Sequence, residues 1–219
     1  MRVAVFSSKP YDEAFLTRAA EGTGHELTFF EARLDRSTAP LADGYDVVCA
    51  FVNDDLGAAT LLRLSKSGPK LIALRSAGFN HVDLDAAKSL DLHVVRVPAY
   101  SPRSVAEHTV ALVLALDRKI HRAHARVREG NLSLDGLLGF DLGSRTVGIV
   151  GTGKIGVAVA TILQGFGCKL IGYDVHQNPD ALELGIEYVD LKQIWEQADV
   201  ITLHAPLTPD THHMVDAFA

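Results

Sequence analysis

The sequence predicts an α/β protein built from two parallel-sheet domains, the second of them incomplete. Short apolar stretches rich in β-branched residues alternate with stretches of helical character along the chain, which is typical of βαβ units. A glycine-rich turn, Gly151 to Gly156, directly follows one of these apolar stretches. Only four strand patterns follow residue 145, whereas a doubly wound nucleotide-binding sheet usually has about six.

Composition and charge indicate an ordinary globular protein. Of the 219 residues, 47% are hydrophobic and 22% are charged, as in typical globular domains. The net charge of −6 and the pI near 5.9 argue against nucleic acid as the main partner, since phosphate binding needs a basic surface. No apolar run approaches the roughly 18 residues of a membrane span, and the apolar N-terminal stretch is too short for a signal peptide. We therefore expect a cytoplasmic protein with no membrane partner.

The first hundred residues predict a flavodoxin-like domain, in which five strands alternate with helices. The strand patterns lie at 2–6, 25–30, 45–52, 71–74 and 93–97. The helical patterns lie at 11–20, 58–67 and 84–89. Residues 1–100 are therefore predicted to form one domain.

A long helix is predicted to open the second domain, residues 101–219. Apolar or β-branched residues recur at helical spacing from Val105 to Ile120, so the helix should run from about Ser104 into the 120s. Its start has two interpretations: Ser101 before Pro102, or a capping box of Ser104 and Glu107.

The stretch from Thr146 to Gly156 (TVGIVGTGKIG) carries the strongest functional signal. A buried parallel strand is followed by G-x-G-x-x-G and then by a helical pattern. Gly151 permits the tight turn, Gly153 lets a pyrophosphate approach the backbone, and Gly156 lets the helix pack on the strand. The N-terminus of that helix favours phosphate. The motif predicts a dinucleotide site of the Rossmann type, although a glycine turn in an ordinary βα unit is the alternative.

An acidic residue at the end of the next strand supports the dinucleotide interpretation. Asp174 ends the strand pattern that begins at Lys169, eighteen residues after Gly156, close to the spacing the fingerprint requires. A carboxylate here accepts hydrogen bonds from ribose hydroxyls and repels a 2′-phosphate. The following Val175-His176-Gln177 brings no arginine to receive that phosphate. The predicted cofactor is therefore NAD rather than NADP.

Helix and strand patterns continue after Asp174. Helices are predicted at 180–183 and 191–197, and strands at 186–189 and 200–204.

Several polar groups have ordinary structural interpretations. The histidine pairs His121/His124 and His212/His213 lack a clustered cysteine or carboxylate set, so no metal site is predicted. Asn53-Asp54-Asp55 could suggest Mg²⁺, but polar residues that close a strand explain it better. Cys49 and Cys168 are expected to be free thiols, although the sequence leaves a disulfide open.

Taken together, the segments resemble the D-isomer-specific 2-hydroxyacid dehydrogenase family, and most of all its fermentative bacterial members that reduce pyruvate to D-lactate. The resemblance covers the whole chain and rests on these segments: 51–55 (FVNDD), 73–80 (ALRSAGFN), 95–100 (VRVPAY), 105–108 (VAEH), 151–156 (GTGKIG) and 203–208 (LHAPLT).

The resemblance implies which residues form the site. The amides around Ala77 and Gly78 would bind the substrate carboxylate, helped by the Tyr100 hydroxyl. The remaining implied residues would contact NAD: Val105 at the nicotinamide, Lys154 and Ile155 at the pyrophosphate, Asp174 at the adenosine ribose, and Ala205, Pro206 and Thr211 farther along. A homo-oligomer is expected for the complete enzyme.

The resemblance also implies what the sequence does not supply. The family's catalytic arginine, histidine and carboxylate come from later strands and loops, so no catalytic residue is assigned. We expect a fragment of a longer enzyme or an inactive truncated form. Two alternatives stay open: a sibling dehydrogenase that acts on glycerate or on a phosphorylated or bulkier substrate, and a non-catalytic NAD-sensing protein such as a corepressor.

Overall fold

The computed structural model describes residues 1–217, and these divide after Tyr100 into two compact units. Each unit has a parallel sheet flanked by helices, which confirms the predicted α/β class. None of the helices in the described residues is long and apolar enough to cross a membrane.

The first unit has a five-stranded parallel sheet of order β2-β1-β3-β4-β5, the flavodoxin-like order. Its strands are β1 (Arg2–Val5), β2 (Glu26–Phe29), β3 (Val47–Ala50), β4 (Leu71–Leu74) and β5 (His93–Arg96). Its helices are α1 (Pro10–Ala20), α2 (Ala58–Ser65) and α3 (Leu84–Ser89), with a 3-10 helix at Ala39–Ala42. Fully buried apolar side chains such as Phe6, Leu61 and Ile72 form its core.

The second unit has a four-stranded parallel sheet of order β8-β7-β6-β9. Its strands are β6 (Thr146–Val150), β7 (Lys169–Tyr173), β8 (Glu187–Tyr188) and β9 (Val200–Leu203). Its helices are α4 (Pro102–Asp117), α5 (Ile120–Arg128), α6 (Lys154–Gly165), α7 (Pro179–Glu183) and α8 (Leu191–Gln197), with a 3-10 helix at Leu142–Ser144. Ile149 of the central strand β6 pairs with Gly172 of β7 and Thr202 of β9.

The first of the two predicted starts of the long helix, Ser101 before Pro102, is confirmed, whereas the predicted length is wrong. The helix begins at Pro102, and the Ser101 hydroxyl caps it by accepting a 3.2 Å hydrogen bond from the Ser104 amide. The interpretation of Ser104 and Glu107 as a capping box is therefore wrong. The helix ends at Asp117, because Lys119 adopts a left-handed conformation with φ of 50°; α5 then starts as a separate helix.

Two other interpretations are settled by local contacts. Asp54 is buried, and its carboxylate accepts hydrogen bonds from the amides of Leu34 (2.9 Å) and Phe51 (2.6 Å) and from the Ser7 hydroxyl (2.6 Å). It therefore closes the strand, as expected. Cys49 and Cys168 are free thiols, which confirms that prediction.

Candidate functional site

The turn after β6 has space only for glycine at its first position. Gly151 has φ of +94°, and its amide donates a 2.8 Å hydrogen bond to the Tyr173 carbonyl. A Cβ atom there would lie 2.7–2.9 Å from the backbone of His204 and Ala205, closer than real side chains approach. The turn therefore passes tightly between the ends of β7 and β9.

The other two glycines of the motif play different roles. A Cβ atom on Gly153 would meet no atom of the described residues within 4 Å, so open space adjoins the turn where a pyrophosphate could approach. A Cβ atom on Gly156 would instead overlap with the carbonyl oxygen of Gly151. Between them, α6 begins with Lys154 and Ile155. The first amides of a helix have no intrahelical acceptor, so these two are available to an anion.

Asp174, the residue after β7, is joined directly to the glycine turn. Its Oδ2 accepts a 2.6 Å hydrogen bond from the Thr152 amide and a 3.2 Å hydrogen bond from the Thr152 hydroxyl. Among residues 1–217, its Oδ1 has only a long contact of 3.4 Å with the His176 amide. The half-buried carboxylate thus has one oxygen engaged by the protein and one largely available.

The segment after β9 lies against the same turn. The His204 amide donates a 2.7 Å hydrogen bond to the Val150 carbonyl, which places Ala205 beside Gly151. Thr211 then closes the following loop, because its hydroxyl donates a 2.6 Å hydrogen bond to the Pro206 carbonyl. The structure therefore brings Ala205, Pro206 and Thr211 to the edge of the sheet where β6, β7 and β9 end.

Val105 lies in the first turn of α4 and is half-buried. The start of this helix lies beside the start of α6, since Pro102, Arg103 and Lys154 line one groove of about 810 Å³.

His204, which follows β9 at this edge of the sheet, has a shifted pKa. Burial lowers its pKa from the usual 6.5. Its Nε2 is buried without a hydrogen-bond partner among residues 1–217. The imidazole is therefore held in its neutral form near neutral pH.

In the first unit, Ala77 and Gly78 lie in the loop after β4. Their carbonyl oxygens are occupied: that of Ala77 accepts a 2.7 Å hydrogen bond from Arg96 Nη1, and that of Gly78 accepts a 2.8 Å hydrogen bond from the Ser76 hydroxyl. Their amides donate to no acceptor within the described part of the chain. This loop can therefore offer two N–H groups to an anion such as a carboxylate.

Arg75 holds the base of this loop and was not predicted from the sequence. Its guanidinium donates to the carbonyls of Cys49 (3.2 Å) and Phe6 (3.0 Å) and lies 3.5 Å from Asp12 Oδ1. It also lies over the Phe51 ring, 5.4 Å from the centroid. One side chain thus links the ends of β1, β3 and β4.

Tyr100, the last residue of the first unit, has a side chain that is two-thirds exposed (67%). Its hydroxyl has no hydrogen bond to any residue in 1–217.

Tyr188 and Asn178 also belong to the site and lack any sequence signal. The Tyr188 hydroxyl lies 2.6 Å from the Thr152 hydroxyl and accepts a 2.9 Å hydrogen bond from the Asn178 amide. The Asn178 side chain donates a 2.8 Å hydrogen bond to the Thr152 carbonyl. These contacts hold Thr152, the second residue of the glycine turn, in place.

Comparison with known proteins agrees with this geometry. Residues 110–219 match the profile of the D-isomer specific 2-hydroxyacid dehydrogenase, NAD binding domain. The D-lactate dehydrogenase of Escherichia coli K12 is 52% identical over 219 residues, which is 100% of this chain and 67% of that protein. The chain thus spans about two thirds of the length of such relatives.

Solved structures give the same result. The apo-structure of D-lactate dehydrogenase from Escherichia coli superimposes with a TM-score of 0.92 at 52% identity, covering 99% of this chain and 68% of that one. The Aquifex aeolicus D-lactate dehydrogenase complexed with NAD and lactic acid has a TM-score of 0.84 at 36% identity, covering 98% and 63%. The chain therefore belongs to the D-isomer-specific 2-hydroxyacid dehydrogenase family.

Proposed function

We propose that this chain provides the NAD-binding and carboxylate-binding parts of a D-lactate dehydrogenase, whose complete form reduces pyruvate to D-lactate. The observation that carries the proposal is the 2.6 Å hydrogen bond from the Thr152 amide to Asp174. It joins a pyrophosphate-binding turn and a ribose-binding carboxylate into one site. The names of the similar proteins support lactate as the product.

The residues around this turn fit NAD. The space beside Gly153 and the unpaired first amides of α6, those of Lys154 and Ile155, suit a pyrophosphate. Asp174 would bind the adenosine ribose through its less occupied Oδ1. Ala205, Pro206 and Thr211 would border the cofactor, and Val105 would face the nicotinamide. When bound, NADH supplies the hydride, and the protein orients the reactants.

Substrate binding is proposed for the loop after β4. The amides of Ala77 and Gly78 have no acceptor of their own among the described residues, so a carboxylate can satisfy them without breaking an existing hydrogen bond. Tyr100 is exposed and would add its hydroxyl. Reduction of a ketone also needs a proton donor near the developing alkoxide, and we assign that role to none of the described residues.

For the complete enzyme we propose a fermentative role in the cytoplasm and a homo-oligomeric state. The fermentative role and the oligomer rest on the resemblance to bacterial enzymes of this type. The cytoplasmic location rests on Cys49 and Cys168, which are both free thiols, as is usual for proteins of a reducing compartment.

The direct test is reduction of pyruvate by the complete enzyme with NADH, followed by loss of NADH absorbance and chiral analysis of the product. We expect D-lactate and a clear preference for NADH over NADPH. Faster turnover of hydroxypyruvate would instead indicate the glycerate-type sibling. Binding of NADH without turnover of any 2-oxo acid would favour the NAD-sensing alternative.

A further inference from the structure

We propose that Tyr188 is a positioning residue for NAD, which acts through Thr152 to fix the carboxylate of Asp174. This inference rests on the proposed function, since it assumes that Asp174 binds the cofactor ribose. Tyr188 is half-buried at the end of the short strand β8. It would touch neither the cofactor nor the substrate.

The hydrogen atoms of this network can be assigned a direction. An ionised carboxylate only accepts hydrogen bonds, so the Thr152 hydroxyl must donate to Asp174 Oδ2, 3.2 Å away. The Thr152 oxygen must then accept from the Tyr188 hydroxyl at 2.6 Å. The Tyr188 oxygen in turn accepts from the Asn178 amide at 2.9 Å. The result is a one-way relay from Asn178 through Tyr188 and Thr152 to Asp174.

The relay gives the two carboxylate oxygens of Asp174 different roles. Oδ2 receives both the amide and the hydroxyl of Thr152, and these two donors fill its lone pairs. Oδ1 keeps capacity for ribose hydroxyls, because its contact with His176 is 3.4 Å long. A carboxylate held in this way accepts a ribose without rearrangement. It also cannot turn aside to admit a 2′-phosphate.

Two members of the relay, Thr152 and Asn178, are held in place by further contacts. Thr152 is almost fully buried (1% exposed), and its carbonyl accepts a 2.8 Å hydrogen bond from Asn178 Nδ2. Asn178 Oδ1 accepts a 3.0 Å hydrogen bond from the Asp180 amide, which caps α7. Thr152 and Asn178 are thus both held by contacts with the backbone. When the Tyr188 hydroxyl is removed, neither residue can readily move to replace the lost hydrogen bonds.

The test compares hydroxyl deletions in the 219-residue chain by fluorescence titration with NADH and NADPH. Tyr188→Phe and Thr152→Val should each raise the Kd for NADH about fivefold, which corresponds to the free energy of one partly buried hydrogen bond. The Kd for NADPH should change less, so discrimination between the cofactors falls. Thr152→Ser, which keeps the hydroxyl, should restore NADH affinity. Tyr173→Phe is the matched control, because the Tyr173 hydroxyl has no hydrogen bond to residues 1–217.

A double mutant separates a relay from two independent effects. If Tyr188 acts through Thr152, the combined Tyr188→Phe and Thr152→Val variant should bind NADH no more weakly than Thr152→Val alone. Additive losses would overturn the relay, and so would an unchanged Kd in Tyr188→Phe.

Hydrogen exchange gives a readout that needs no cofactor. In the free chain, Tyr188→Phe should speed exchange of the Thr152 and Asn178 amides by about tenfold, while Tyr173→Phe should not. Unchanged exchange would overturn the relay on its own. A wild-type chain that binds no NADH while its exchange responds as expected would contradict the proposed cofactor site and leave the relay standing as a structural network.

Discussion

The carbonyl oxygen of Gly151 occupies the position that a Cβ atom on Gly156 would take. The first and last glycines of the motif are therefore in direct contact, and the contact fixes how closely α6 approaches the end of β6. The helix can pack on the strand in this way only because Gly156 has no side chain. The direction of the first amides of the helix depends on the same packing.

Replacing Gly156 by alanine should disrupt this contact. We expect Gly156→Ala to lower the free energy of unfolding by about 3 kcal/mol, the scale of overpacking against fixed backbone, and to abolish detectable NADH binding. Urea titration followed by Trp195 fluorescence measures the first effect. Gly165→Ala in the same helix is the control, since a Cβ atom there would have no atom of residues 1–217 within 4 Å. A similar loss in both variants would contradict the explanation.

Removing the charge of Asp174 should change cofactor choice. Asp174→Asn keeps the size of the side chain but removes both the strong acceptor for ribose and the repulsion of a 2′-phosphate. The Kd for NADH should rise about tenfold, as for loss of a charged hydrogen bond, and the Kd for NADPH should stay the same or fall. The exposed Asp180 offers a nearby control, and Asp180→Asn should alter neither Kd.

Arg75 should contribute more to stability than an exposed arginine. Its side chain is 12% exposed and lies beside that of Asp12, which is 15% exposed. Arg75→Met removes hydrogen bonds to three backbone carbonyls and removes the cationic partner of Asp12. We expect a loss of about 2 kcal/mol in the first unit. Arg63→Met breaks the more exposed pair with Asp43 and should cost less than about 1 kcal/mol. Equal losses in urea titrations followed by circular dichroism would show that Arg75 has no special role.

Stability of the second unit should fall in mild acid because of His204. Burial lowers the pKa of His204 below 6.5 in the folded state, so below that pH the unfolded chain binds a proton that the folded chain does not. Stability from this group is complete above about pH 6.5 and decreases as the pH falls toward the folded-state pKa.

Trp195 is the single tryptophan of the chain and lies in α8 of the second unit, so its fluorescence reports that unit. Melting temperatures of the wild type should fall between neutral pH and about pH 5.5. The fall should be smaller in His204→Gln and unchanged in His212→Gln, where an exposed ring is replaced. Parallel curves for the wild type and His204→Gln would exclude His204 as the cause.

The sequence predicted the features that depend on local pattern. Alternation of apolar stretches identified the strands of both sheets, and the spacing of Gly151, Gly153 and Gly156 located the turn at the end of β6. Asp174 was found because it ends a strand at a set distance from the turn. Backbone geometry at the ends of parallel strands follows from such patterns.

Features that depend on long-range contacts or on single backbone angles could not be predicted. The break at Lys119 is one positive φ value within a stretch whose apolar spacing continues. Tyr188 and Thr152 are in contact although they are 36 residues apart in sequence, and Arg75 and Phe6 are in contact although they are 69 residues apart. Such contacts between distant residues depend on how the strands and helices pack, and no pattern in a single sequence predicts them.

The close approach of Gly151 to His204 and Ala205 also bears on protein engineering. At this point the backbones of two loops that would contact the cofactor lie so close that a Cβ atom on Gly151 does not fit between them. Neither loop can be exchanged alone for that of another dehydrogenase without moving the other. A loop exchange intended to change cofactor preference must therefore replace residues 151–156 and 204–206 together.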